Sequence, residues 1–129
     1  MKISAHQPNF LPNIAFFNKM KLSDIFVIIG NIQFEKQEGW QQRHKIKGPN
    51  NDIWLTVPVL GSQNQLIKNV LINNQINWRK KHIKTIDMVY GKSIGKDFIP
   101  QIFSVYKKKW KRLIDLNLEM IKVLKDILK

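Results

Sequence analysis

Apolar positions change their spacing three times along the chain, and each change marks a different kind of element. Residues 3–5 form a short strand candidate that ends at His6-Gln7-Pro8-Asn9, where proline stops ladder pairing. Pro12 suits a helix start, and Ile14, Phe17 and Lys21, flanked by Phe16 and Met20, set the stripe of that helix. Ile25-Phe26-Val27-Ile28-Ile29 is a continuous apolar run of strand length, closed by the turn pair Gly30-Asn31. A run apolar at every position predicts a strand covered on both faces, as in a parallel sheet. The opening therefore reads as a βαβ unit with a right-handed crossover.

Residues 43–47 and 53–59 then flank Gly48-Pro49-Asn50-Asn51, a turn signal. Trp54, Thr56 and Pro58 alternate with Leu55, Val57 and Val59, so the pair predicts a β-hairpin. A further short strand is expected over residues 66–72.

From Asn77 onward the spacing becomes helical. Asn77 is an N-cap candidate before Trp78, and Gly91 is a stop after Tyr90. Trp78, His82, Thr85 or Ile86, and Val89 share one stripe. A second helix is expected over about residues 100–110, with Ile102, Phe103, Tyr106 and Trp110 on one side. A third, amphipathic helix carries Leu113, Leu116, Met120, Ile121, Leu124, Ile127 and Leu128, with Lys122, Lys125 and Lys129 outward. The expected fold class is α/β: a βαβ opening with a small mixed sheet including a β-hairpin, followed by about three C-terminal helices. All 129 residues are expected to form one domain.

Composition narrows the partners. The chain has no cysteine, which excludes disulfides and thiolate metal sites and fits a reducing cytoplasm. Its start, MKISAHQPNF, lacks the apolar core of a signal peptide, and no stretch reaches the ~18 apolar residues that span a bilayer. The formal charge is +13, with 14 of the 22 basic residues from Arg79 onward. That balance favours a polyanionic partner. The abundance of Lys, Asn and Ile also fits the drift of an AT-rich genome, which would leave many lysines on solvated faces.

The most chemical string is His6-Gln7-Pro8-Asn9-Phe10-Leu11-Pro12. It places an imidazole and two carboxamides beyond the carboxyl end of a first strand, where open α/β sheets bind ligands. The following helix start offers free N–H groups to a phosphate or carboxylate. The competing reading is that His6 and Asn9 only bond their own loop. His6 and Asn9 also share the spacing of a nucleotidyl-transfer signature, although Pro8 stands where glycine is usual. In a transfer reaction they would be the catalytic pair, and Gln7 would bind substrate.

A second cluster surrounds Trp40: Gln41, Gln42, Arg43, His44, Lys45 and Lys47. Arg43 can grip a phosphate bidentately and Trp40 can stack on a sugar or base. A solvated hairpin explains the same charges. Gln33 and Glu35 are placed to face the first crevice, Gln33 as a substrate contact, while Lys36 and Glu38 mark an exposed loop. His82 reads as helix packing. The three histidines have no metal-ligand spacing, and no Ser-His-Asp set, Walker loop or dinucleotide glycine pattern occurs. The sequence requires no cofactor. Lys107-Lys108-Lys109-Trp110-Lys111-Arg112 is the densest positive run, read either as a polyanion contact or as a solvated helix face with Trp110 inward.

Taken in order, the His6 to Pro12 string, Phe17-Asn18-Lys19, Ser23-Asp24-Ile25-Phe26-Val27-Ile28, Ile32-Gln33-Phe34, Arg43, Lys45-Ile46-Lys47, Trp54-Leu55-Thr56-Val57-Pro58-Val59, and Trp78 with Lys81-His82, Ile86 and Tyr90 resemble the WbqC-like proteins. The resemblance covers residues 1 to about 98. It implies a bacterial, cytoplasmic α/β protein of surface-polysaccharide (O-antigen) biosynthesis, and a transferase acting on a nucleotide-linked or amino sugar by nucleotidyl or acyl/aminoacyl transfer. The chain departs from the family at Asn13 and Ala15, where tryptophan and glycine are usual, and at Gly30 and Asn31, where aspartates are favoured. The family is also longer, so a protein partner supplying the remaining half is a further expectation. The alternative class is a non-catalytic basic nucleic-acid-binding domain.

Overall fold

A computed structural model describes residues 1–35, 40–61 and 64–128. Strand β1 (Ile3–His6) pairs in parallel with β2 (Ile25–Ile28), in the register Ile3 to Ile25 and His6 to Ile28. Helix α1 (Ile14–Lys21) makes the crossover. Its N-cap is Asn13, whose Oδ1 accepts from the Phe16 N–H at 3.2 Å, so Pro12 lies one residue before the cap and not in the first turn. The return into β2 is tied at two points: Ser23 Oγ donates to Ser4 Oγ, and the Lys2 N–H donates to the Asp24 carboxylate at 2.7 Å.

The apolar run of β2 is not covered on both faces as its pattern predicts. Phe26 and Ile28 turn inward onto Phe16, Phe17 and Ile121, while Ile25 is 45% and Val27 44% exposed beside Ile3 at 65%. Helix α1 and one later helix cover a single face of this two-stranded sheet, and nothing among the described residues covers the other.

The expected hairpin forms from β3 (Arg43–Lys47) and β4 (Asp52–Thr56), antiparallel, with Lys47 opposite Asp52. A Cβ on Gly48 would stand 2.4 Å from the Asn51 carbonyl, so this turn needs glycine. The segment 66–72 makes a 3-10 turn (Ile67–Asn69) and isolated bridges from Leu66 to Gln33, Leu71 to Arg112 and Ile72 to Val59, in place of a regular strand.

Three C-terminal helices follow: α2 (Trp78–Tyr90), α3 (Ile99–Lys107) and α4 (Leu113–Ile127). Helix α3 ends before Trp110, earlier than its apolar spacing predicts. Lys108 is extended, and the Trp110 indole N–H donates back to the Val105 carbonyl at 2.7 Å, taking an acceptor of the last turn. Residues 108–112 instead run as a connector, with the Ile72 N–H on the Lys111 carbonyl and the Leu113 N–H on the Val70 carbonyl. The basic tract is therefore not a single helix face. Phe10, Phe34, Leu55, Val57, Trp78, Tyr106, Leu116 and Met120 form the main core between the hairpin and the helices. No helix among the described residues is long and apolar enough to cross a membrane.

Candidate functional site

The His6 to Pro12 loop leaves the carboxyl end of β1 and is clamped from the far end of the chain. Asn117 on α4 is fully buried, and its Nδ2 donates to the Pro8 carbonyl at 2.8 Å and to the Gln41 carbonyl at 2.7 Å. The Phe10 N–H reaches the Trp40 carbonyl at 3.0 Å, and the Phe10 side chain sinks fully into the core. Leu11, between Phe10 and Pro12, has φ of 45°. That left-handed conformation costs a leucine about 1 kcal/mol and persists because anchors on both sides impose it.

A cleft of about 640 Å³ opens beside this loop, walled by His6, Gln7, Asn9, Asn13, Lys19 and Trp40, with Ala15 and Phe16 at the start of α1. The His6 ring stands edge-on to Phe16, 4.8 Å between centroids. Its Nδ1 lies 2.9 Å from the Gln7 carbonyl, which can only accept, so Nδ1 carries the proton. The neutral ring then offers the Nε2 lone pair, and the protonated ring offers Nε2–H. Gln7 Nε2 donates to Asn9 Oδ1 at 2.8 Å, while Lys19 Nζ is held by the Ala5 carbonyl at 2.9 Å. The first turn of α1 adds N–H groups beyond the one that Asn13 caps. Among the described residues no carboxylate lines this cleft. Among the described residues an ammonium, an imidazole, carboxamide donors and a helix start face it, a set suited to an anion.

The other expected site residues lie elsewhere. Gln33 is exposed and bridges to Leu66, away from the cleft wall. Arg43 and Lys45 sit on β3, with the guanidinium 4.2 Å and the ammonium 5.0 Å from the Trp54 ring centroid. Trp40 stacks on Trp54 at 5.6 Å with planes 20° apart, so one tryptophan links the cleft to this cationic ledge. His44 leans on Trp40 at 5.1 Å, and burial lowers its pKa. Glu35 is exposed and off the wall, while Lys36 and Glu38 fall outside the described residues.

His82 is a core group. Its Nε2 meets the Thr56 carbonyl at 2.9 Å and its Nδ1 meets the Tyr106 hydroxyl at 3.0 Å. Nε2 therefore carries the proton and Nδ1 accepts from tyrosine. Desolvation lowers its pKa to about 4, against a smaller upward pull from the Thr56 carbonyl, and burial raises that of Tyr106. Among the described residues no three His, Asp or Glu side chains gather to hold a metal ion.

Lys19, Asn117 and the bridging role of Gln41 were not legible as site features. Lys19 carried one cue, three residues after Phe16 on the flank of α1 that lies along β1. A profile of the WbqC-like protein family matches residues 7–129. The chain belongs to the WbqC-like family. It is 31% identical over 92 residues to the uncharacterized protein Rv1507c of Mycobacterium tuberculosis. That alignment takes in 70% of this chain and 39% of the relative, so the matched stretch spans well under half the length of that protein. No solved structure matches it.

Proposed function

We propose that this WbqC-like chain binds a nucleotide-linked or amino sugar in the His6 cleft and serves surface-polysaccharide biosynthesis in the cytoplasm as a sugar-directed transferase. One observation carries the reading: a cleft at the end of the first parallel strand collects an imidazole, an ammonium and amide donors, with no carboxylate among the described residues that line it. An anionic diphosphate or carboxylate is the chemistry those groups complement. His6 Nε2 would contact the transferred group or protonate the leaving oxygen. Asn9 and Gln7 would orient it and Lys19 would neutralise it. Trp40 offers a face for a sugar or base ring, and Arg43 and Lys45 would meet further oxygens of a ligand reaching over that ring. Gln33 has no place in this arrangement.

A thermal-shift screen of uridine- and thymidine-diphosphate sugars tests the reading. Binding should raise the melting temperature, and His6→Ala should remove the rise. Nucleic-acid oligomers serve as the control for the basic tract at 107–112. A response to them alone, steep in salt and lost with those lysines, would support the nucleic-acid alternative instead.

A second reading concerns assembly: a polypeptide carrying the rest of the family length covers the open face of the β1–β2 sheet. Parallel sheets are ordinarily covered on both faces, yet here Ile3, Ile25 and Val27 are exposed, and well over half of the relative has no counterpart in the alignment. Co-expression with that remaining segment should yield a stable complex, and an aspartate at Val27 should break it. A complex indifferent to Val27→Asp would place the contact elsewhere.

A further inference from the structure

Three carboxamides link the core to the cleft, and one backbone group decides which way all of them point. The Glu35 N–H donates to Gln41 Oε1 at 2.8 Å. A backbone N–H has no alternative role, so Gln41 must turn its oxygen toward Glu35 and its nitrogen the other way. Gln41 is fully buried, and its Nε2 donates to Gln7 Oε1 at 3.3 Å. Gln7 is thereby turned with its nitrogen toward Asn9, where Nε2 meets Oδ1 at 2.8 Å. Asn9 has its oxygen committed and lies on the cleft wall with its two Nδ2 hydrogens left for a ligand.

We infer that Gln41 is a positioning residue: by relaying the direction of the Glu35 N–H through Gln7, it holds Asn9 as a donor, so the ligand group seated against Asn9 is an oxygen acceptor of the phosphate or carboxylate type. This rests on the proposed anion site and adds which group meets Asn9 and why. Reversed amides would present Asn9 Oδ1 and repel the same oxygens. Asn117, by holding the carbonyls of Pro8 and Gln41 together, keeps the two ends of the relay in register.

Gln41→Glu reverses the relay without altering the wall. One carboxylate oxygen still accepts from Glu35, but the other now requires the Gln7 amide nitrogen. Gln7 then offers its oxygen to Asn9, and Asn9 turns its own oxygen outward. The experiment titrates inorganic pyrophosphate into the full chain by calorimetry and follows the side-chain amide signals of Asn9 by ¹⁵N NMR. Wild type should bind with a clear shift of the Asn9 NH₂ pair. Gln41→Glu should bind at least about tenfold more weakly, the loss of one hydrogen bond to a charged group, with that shift gone. The ratio should persist in high salt, since a mere long-range repulsion from the added carboxylate would be screened.

If Gln41→Glu does not fold, the wild-type NMR titration decides alone. Pyrophosphate that shifts the amides of Ile14 and Ala15 but leaves the Asn9 side chain unmoved would overturn the relay while sparing the anion site. Equal affinity in wild type and Gln41→Glu would do the same. No binding of pyrophosphate to the wild type would overturn both.

Discussion

Asn117 and Pro8 lie 109 positions apart and are joined by a buried 2.8 Å hydrogen bond from the Asn117 amide to the proline carbonyl. The second bond of that amide, to Gln41, makes Asn117 the tie between helix α4, the His6 to Pro12 loop and the Trp40 segment. A loop that would otherwise be free to rearrange is thus fastened to the main core.

Removing that tie should be expensive. Asn117→Ala leaves two buried carbonyls without donors, so a loss of about 2–5 kcal/mol is expected. Urea denaturation would show it as a lower midpoint with little change in slope, and Asn117→Asp, which buries a charge, should be at least as damaging.

His82 predicts a pH dependence of stability. Its folded pKa of about 4 lies below the unfolded 6.5, so the unfolded chain binds more protons between those values. Stability is therefore full above pH 6.5 and falls as pH drops toward 4. The loss expected at pH 4.5 is about 2–3 kcal/mol. Comparing urea midpoints at pH 7.5 and 4.5 in wild type and His82→Gln checks this, since the variant should be less stable at pH 7.5 but lose that part of the pH dependence.

Lys19 is the cation nearest the proposed anion. Lys19→Met should weaken pyrophosphate or nucleotide-sugar binding by about tenfold at low salt, and by less as salt rises. Because Lys19 is exposed, its removal should leave the denaturation midpoint nearly unchanged. Calorimetric titrations at two salt concentrations would measure the effect.

Ile25 and Val27 offer a contrast with core positions. Polar replacements there, such as Val27→Thr, should change stability by less than about 0.5 kcal/mol in this chain, whereas Phe26→Ala on the inward face should cost about 3 kcal/mol. Equal losses on both faces would mean that the sheet is covered in solution.

How far the fold could be read from the sequence depended on how local each cause was. The βαβ opening, the Gly48 turn and three late helices follow from neighbouring residues, and all are present. The far end of α3 was not legible, because Trp110 keeps helical spacing while its indole serves as a cap. The one-sided burial of β2 was hidden for a related reason: an apolar run records what a strand can bury, not which elements arrive to cover it. The loop at His6 stood out by residue type and place. Its supports did not, since Gln41 and Asn117 act through partners distant in the chain, and a carboxamide inside a polar stretch or an amphipathic helix carries no mark of burial.

The most direct test of the anion cleft is a crystal structure of the chain with a nucleoside-diphosphate sugar. The diphosphate should lie between His6 Nε2, Asn9 Nδ2 and Lys19 Nζ, with a ring of the ligand against Trp40. A ligand bound away from these groups, with the cleft holding only solvent, would contradict it.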